Sequence, residues 1–256
     1  MNRRDLLRAS TAVGATTLAM GAAAAAPASA AAPSASAAPK PPAAGGGGPL
    51  RVHIVLYEGV EELDFIAPYE VFSAAAFFTD RPVEVGYVSV AGTATTAVRA
   101  AYGTEVHRVR PWAPHRADLL VVPGGGYARR DSPGVWAEIQ RGTLPRALAA
   151  AARPGLTISA LCTGTMLLSA AGLTRNRPCT THHRARQDLQ DQGGVVKNAR
   201  VVDDGDLVTA GGVTSGLDLA LWLVRRELGP DAATGLEAML EYEARGTVWT
   251  SPAAGR

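Results

Sequence analysis

Three short apolar runs in this chain each pass straight into a turn that carries glycine. They are Val52-His53-Ile54-Val55-Leu56-Tyr57 into Glu58-Gly59, Leu119-Leu120-Val121-Val122 into Pro123-Gly124-Gly125-Gly126, and Thr157-Ile158-Ser159-Ala160-Leu161 into Cys162-Thr163-Gly164. Runs this short, rich in β-branched residues and lacking polar alternation, read as strands buried on both faces. Such strands need helices above and below them. One helix is expected across Glu61–Phe78, with Val71, Phe72, Ala75 and Phe78 on one face, and a strand follows at Val83–Val90. Further strands are expected at Arg177–Thr180, Val201-Val202 and Asp206–Ala210, the last entering Gly211-Gly212 and a broadly apolar helix through Leu217–Leu228. The alternation predicts an α/β fold: a single doubly wound, mostly parallel sheet sandwiched by helices, with right-handed crossovers.

The first 49 residues are of a different kind. Residues 1–30 begin with Arg3-Arg4-Asp5-Leu6-Leu7-Arg8, continue through a weakly apolar stretch and end in Ala28-Ser29-Ala30. A basic start, an apolar middle and a small-residue cleavage site describe an export signal, and the adjacent arginines resemble the twin-arginine type, whose passengers cross the membrane folded. The expected location is therefore periplasmic or extracellular. An uncleaved membrane anchor is the alternative, but Ala, Thr and Gly supply little transfer energy for a stable span. Residues 31–49 hold Ala, Pro and Gly without periodicity and read as a disordered linker, leaving residues 50–256 as one domain. The chain carries 25 basic and 23 acidic residues, and residues 1–30 take three arginines and one aspartate of these, so the mature part is neutral. That balance gives no electrostatic footprint for nucleic acid.

Open parallel sheets bind ligands beyond the carboxyl ends of their strands, which directs attention to the three turns. Cys162 sits at a strand-to-helix turn among small residues, the arrangement of a nucleophile elbow, where a helix N-terminus favours the thiolate. The competing reading is a buried structural cysteine. Gly125 and Gly126 offer unobstructed backbone N–H groups, an oxyanion hole beside the N–H of Thr163. The same turn matches neither the Walker nor the dinucleotide spacing. Asp64, just ahead of an apolar helical stretch, is either a helix cap or an acid facing Cys162; Glu61 and Glu62 are expected to be solvated first-turn acids. Cys179, on an expected strand, reads as core, and both thiols are expected to be free.

Five ordered blocks are shared with a known family: Glu58 through Phe72, the Val-Val-Pro-Gly-Gly-Gly turn, Ala160-Leu161-Cys162-Thr163-Gly164, Thr180-Thr181-His182-His183, and Thr214 through Leu221. Together they resemble the PfpI-like branch of the class I glutamine-amidotransferase-like superfamily, nearest in flavour to isonitrile hydratase-like proteins and the sensor domains of AraC-type regulators. The resemblance spans residues 50–230 and implies a flavodoxin-like fold. It places the family's elbow nucleophile on Cys162 and its acidic partner on Asp64. His182 falls where deglycase-like members bring a histidine toward the cysteine, while His183 departs from the aromatic residue common in hydratase-like members.

The resemblance implies a cysteine-dependent hydratase or hydrolase acting on a small electrophile, an isonitrile being one such molecule, with no metal and no organic cofactor. A glyoxalase-like or deglycase-like enzyme and a non-catalytic ligand or redox sensor are the alternatives. The expected partners are a small-molecule substrate and a second copy of the chain in a homodimer, without nucleic acid and without stable membrane insertion once the leader is removed.

Overall fold

The computed structural model describes residues 48–90 and 97–252, so the leader and most of the linker lie outside the described residues. The chain begins with β1 (Leu50–Val55), α1 (Glu62–Ala74), β2 (Val83–Ser89), β3 (Val98–Arg99), β4 (Glu105–Val106), β5 (Arg110–Pro111) and β6 (Leu119–Val122). Next come α2 (Val135–Arg141), α3 (Thr143–Ala151), β7 (Thr157–Ala160), α4 (Gly164–Ala170), β8 (Pro178–Cys179), α5 (Arg186–Asp191) and β9 (Val195–Val196). It closes with β10 (Val201–Asp203), β11 (Leu207–Ala210), α6 (Ser215–Leu228), α7 (Pro230–Leu240) and β12 (Val248–Thr250).

Eight strands form the main sheet in the order β12-β10-β11-β7-β6-β1-β2-β5. The three runs that end in glycine turns lie side by side in parallel, with Val52 opposite Leu119 and Leu119 opposite Thr157. Their carboxyl ends therefore open at one edge of the sheet. Val52, Ile54, Leu120, Val121 and Val122 are fully buried, as expected of strands covered on both faces. Two helical layers supply that cover: α1, α6 and α7 pack with one another, and so do α2, α3 and α4. Gly216 lets α6 seat against the end of β7, since a Cβ there would stand 2.8 Å from the Leu161 side chain.

The departures from the sequence reading are local. In the main sheet β10 and β12, parallel to each other, run against the remaining strands; β10 turns into β11 through Gly205 (φ +85°), whose N–H donates to Asp203 Oδ1 at 2.8 Å. The expected strand at Arg177–Thr180 shrinks to β8, which pairs with β9 in a separate two-stranded sheet. The helix expected through Phe78 ends at Ala74 and continues as one 3-10 turn over Ala75–Phe77. Phe78 is thereby swung off the buried face and is 37% exposed, lying against α7, where a Cβ on Gly235 would meet its ring at 2.4 Å. Among the described residues no helix is long and apolar enough to cross a membrane.

Candidate active site

Cys162 follows β7 by two residues and precedes the first turn of α4. Its φ is +52°, a left-handed conformation that costs a residue bearing a side chain about 1–3 kcal/mol. The cost is met by bracing from three directions. The Cys162 N–H donates to Gly211 O at 2.7 Å, while its carbonyl accepts from Thr181 Oγ1 at 2.7 Å and from the His182 N–H at 3.3 Å. Gly164 completes the turn by closeness, since a Cβ there would stand 2.1 Å from Val122 O. The chain can make this elbow only with glycine after Thr163.

Asp64 is fully buried across from the elbow. It is not the cap of α1. Glu61 is, its Oε2 accepting from the Asp64 N–H at 2.9 Å, so Glu61 is a built part of the site rather than the solvated acid expected. Glu62 is also engaged, Oε1 accepting from the N–H of Tyr102 at 2.8 Å. Asp64 Oδ2 accepts from the Gly124 N–H at 2.8 Å, and Oδ1 has no hydrogen-bond partner among the described residues. Burial pushes the Asp64 carboxyl well above the usual carboxylate range, and the neighbouring Glu61 charge pushes it further. The Gly124 N–H and the Cys162 thiol pull the other way without cancelling that shift.

The thiol departs from the expectation of a lowered pKa. Burial, followed by the charge of Asp64, raises it from its ordinary 9.0 to about 12, against the pull of the Val213 and Thr163 N–H groups. The physical reason is exposure: Cys162 is only 5% accessible, and a seven-residue helix cannot repay the loss of water. The two groups act on each other, the thiol favouring the carboxylate and the carboxylate disfavouring the thiolate.

The glycine turn presses against the elbow, and its donors are partly spent. Gly124 donates to Asp64, and Gly125 donates to Thr163 Oγ1 at 3.0 Å. The Gly125 N–H expected to serve an oxyanion is thus engaged, while the Thr163 and Val213 N–H groups bear on the Cys162 sulfur. Gly126 (φ +71°) shapes the turn against Pro133, where a Cβ would meet the carbonyl at 2.7 Å. Val213 was not legible as a site residue, although Gly211-Gly212 at the end of β11 marked the turn that presents it.

His182 lies beside the elbow by its backbone, but among the described residues no hydrogen bond joins its ring to the thiol. Its Nδ1 accepts from the Arg184 N–H at 3.3 Å, and the ring lies against Gly212, where a Cβ would meet it at 2.3 Å. Burial, then the charges of His183, Arg184 and Arg186, lower its pKa. The ring lines an open cleft of about 570 Å³ that also takes in Gly211, Gly212 and Val213. Cys179 is a fully buried free thiol, as is expected of core. No group of His, Cys, Asp and Glu among the described residues is arranged to hold a metal ion.

Comparison with known proteins agrees with this geometry. The DJ-1/PfpI family signature matches residues 50–226. An isonitrile hydratase of Pseudomonas putida is 31% identical over 195 residues, covering 75% of this chain and 78% of its own. Among solved structures, a ThiJ/PfpI family protein of Pseudomonas syringae superposes with a TM-score of 0.67 at 24% identity, over 77% of each chain. An AraC family transcriptional regulator of Pseudomonas putida superposes with a TM-score of 0.61 at 25% identity, over 75% of this chain and all of its own.

Proposed function

The chain belongs to the DJ-1/PfpI family, and we propose that it is an exported, cysteine-dependent hydratase or hydrolase in which Cys162 attacks a small electrophile and Asp64 moves the proton. The observation that carries this reading is the pairing of a strained elbow thiol with a fully buried acid whose Oδ1 has no hydrogen-bond partner among the described residues. Burial that favours the protonated carboxyl suits Asp64 to donate a proton.

With an isonitrile as substrate, the Cys162 sulfur forms a bond to the terminal carbon while a proton passes from Asp64 to that carbon, giving a thioimidate. The thiol proton replaces the one Asp64 has given. Water then adds to the thioimidate carbon while Asp64 gives its proton to nitrogen and takes one from the water; the C–S bond breaks as the adduct's hydroxyl becomes the formamide carbonyl, and its proton passes to the departing sulfur. The products are an N-substituted formamide and the free thiol, so the net change is addition of one water. The Thr163 and Val213 N–H groups stabilise negative charge on sulfur as it leaves.

The paired arginines of the leader proposed for residues 1–30 support an activity outside the cytoplasm. Exposed Leu63, Ile66 and Tyr69 on α1 support a homodimer, because together they leave apolar surface uncovered on a single chain. The small accessibility of the thiol favours a second reading, in which the domain is a ligand sensor without turnover; the same burial weighs against its being a redox sensor. The test is a panel of isonitriles, α-oxoaldehydes and small amides offered to the purified mature protein and to Cys162→Ser. Turnover by the wild type alone supports covalent catalysis. Equal turnover by both refutes it, and binding without turnover selects the sensor.

A further inference from the structure

The open cleft beside the elbow is charged in one sense. His182, His183, Arg186 and Arg200 line it with polar Asn198 and Ser215, and among the described residues no carboxylate does. Arg200 is neutralised from behind by buried Asp218 and is further held by Thr214 Oγ1 at 2.9 Å. Arg186 is not neutralised. Its Nη1 donates to the uncharged Asn198 Oδ1 at 3.1 Å, its Nε is buried without a partner, and no salt bridge among the described residues reaches it.

His182 adds a donor. Because its Nδ1 accepts from the Arg184 N–H, the neutral ring carries its proton on Nε2. The remaining charges around it are His183, Arg184 and Arg186, all basic. A guanidinium with an unused N–H, a neutral imidazole donor and a hydroxyl at Ser215 together suit a planar anion that accepts several hydrogen bonds. The N-terminus of α6, a 14-residue helix starting at Ser215, adds to the same potential. The cleft is also tied to the chemistry, since Val213 lines it and turns its N–H toward the Cys162 sulfur.

We propose that this cleft binds the carboxylate of the substrate, so that the electrophile brought to Cys162 is a small organic anion held by Arg186 and His182. The assignment rests on Cys162 being the nucleophile, and it narrows the substrate class from small electrophiles in general to carboxylate-bearing ones.

Alkylation with a matched pair of reagents tests it. Iodoacetate and iodoacetamide differ in charge at nearly constant size, and mass spectrometry reports modification at Cys162 separately from Cys179. The ratio of iodoacetate to iodoacetamide rates at Cys162 should exceed that of free cysteine by about tenfold, the low end of what a single-sign cleft does to a local anion concentration. Arg186→Gln should return the ratio to the free-cysteine value. On the unaltered protein, inorganic phosphate should slow iodoacetate and spare iodoacetamide, a control that does not depend on how the variant folds. A ratio at or below that of free cysteine, or one indifferent to both Arg186→Gln and phosphate, overturns the proposal. Failure of both reagents to modify Cys162 would instead count against the thiol as nucleophile. The cleft is then judged by phosphate alone: displaced His182 and His183 ring signals in NMR, lost in Arg186→Gln, uphold an anion site, and unmoved signals overturn it.

Discussion

Replacing Asp64 with Asn should make Cys162 more reactive toward a simple alkylating agent while stopping turnover. Asn keeps the shape and can still accept from the Gly124 N–H, so the helix and the glycine turn stay in place. What it removes is the ionisable proton and, at the pH where the thiol titrates, a negative charge. That charge is the second cause, after burial, of the rise in the thiol from 9.0 to about 12. Burial persists in the variant, so its thiol should titrate between those limits. A fall of about one pKa unit raises the thiolate fraction about tenfold at pH values where Asp64 would be ionised and the thiol still is not. Iodoacetamide alkylation of Cys162, followed against pH, should therefore accelerate by roughly that factor, with its midpoint moved down. Turnover, lacking its proton donor, should drop by about 10²–10⁴-fold. Stability carries a third sign. The folded-state pKa of Asp64 lies above its unfolded value, so wild-type stability is full below the unfolded pKa and is lost as pH rises through the folded one. Asn has no such loss, and the variant should melt above the wild type at pH 8 and converge with it near pH 3. Unchanged kcat, or alkylation slower than in the wild type, would refute the pairing of these two groups.

Gly164→Ala should be among the most damaging small substitutions, because its Cβ would overlap Val122 O at 2.1 Å; a loss of more than about 3 kcal/mol in urea unfolding, or no soluble protein, is expected. Cys179→Ser buries a hydroxyl at a fully enclosed position and should cost about 1–3 kcal/mol with turnover per folded molecule unchanged, checked by paired unfolding and activity measurements. Changing Arg3 and Arg4 together to Lys keeps the charge of the leader and should abolish export of a reporter that works only when exported folded; surviving export would point to the general secretory route.

The strands of the sheet centre were legible because each is a short, mainly apolar run leading into a turn that carries glycine, and the elbow followed from what stood after the third of them. The edges were not legible. Arg110-Pro111 and Val248–Thr250 are too short to signal strands, and they exist because a neighbouring strand offers them hydrogen bonds. Pro178-Cys179 has strand-like chemistry but finds its partner in Val195-Val196 rather than in the main sheet, a choice made by tertiary contact. In the site, the identities of Cys162 and Asp64 could be read, whereas their proton affinities could not. Desolvation depends on how completely other parts of the chain close over a group, and Glu61, Gly124 and Val213 enter through backbone placement that residue type does not encode.

The brace on Cys162 has a consequence for when the site comes into being. The carbonyl that holds its N–H belongs to Gly211, at the far end of β11, and the groups that hold its own carbonyl come from Thr181 and His182. Both lie downstream, and β11 must cross back to pair beside β7 before they can act. During synthesis, β1, β2, β6 and β7 can assemble while Cys162 is still relaxed, because the left-handed turn has nothing to pay for it until residue 211 arrives. The nucleophile is therefore armed by the last third of the polypeptide, and a nascent or clipped chain that stops short of it carries an ordinary thiol on a half-built sheet.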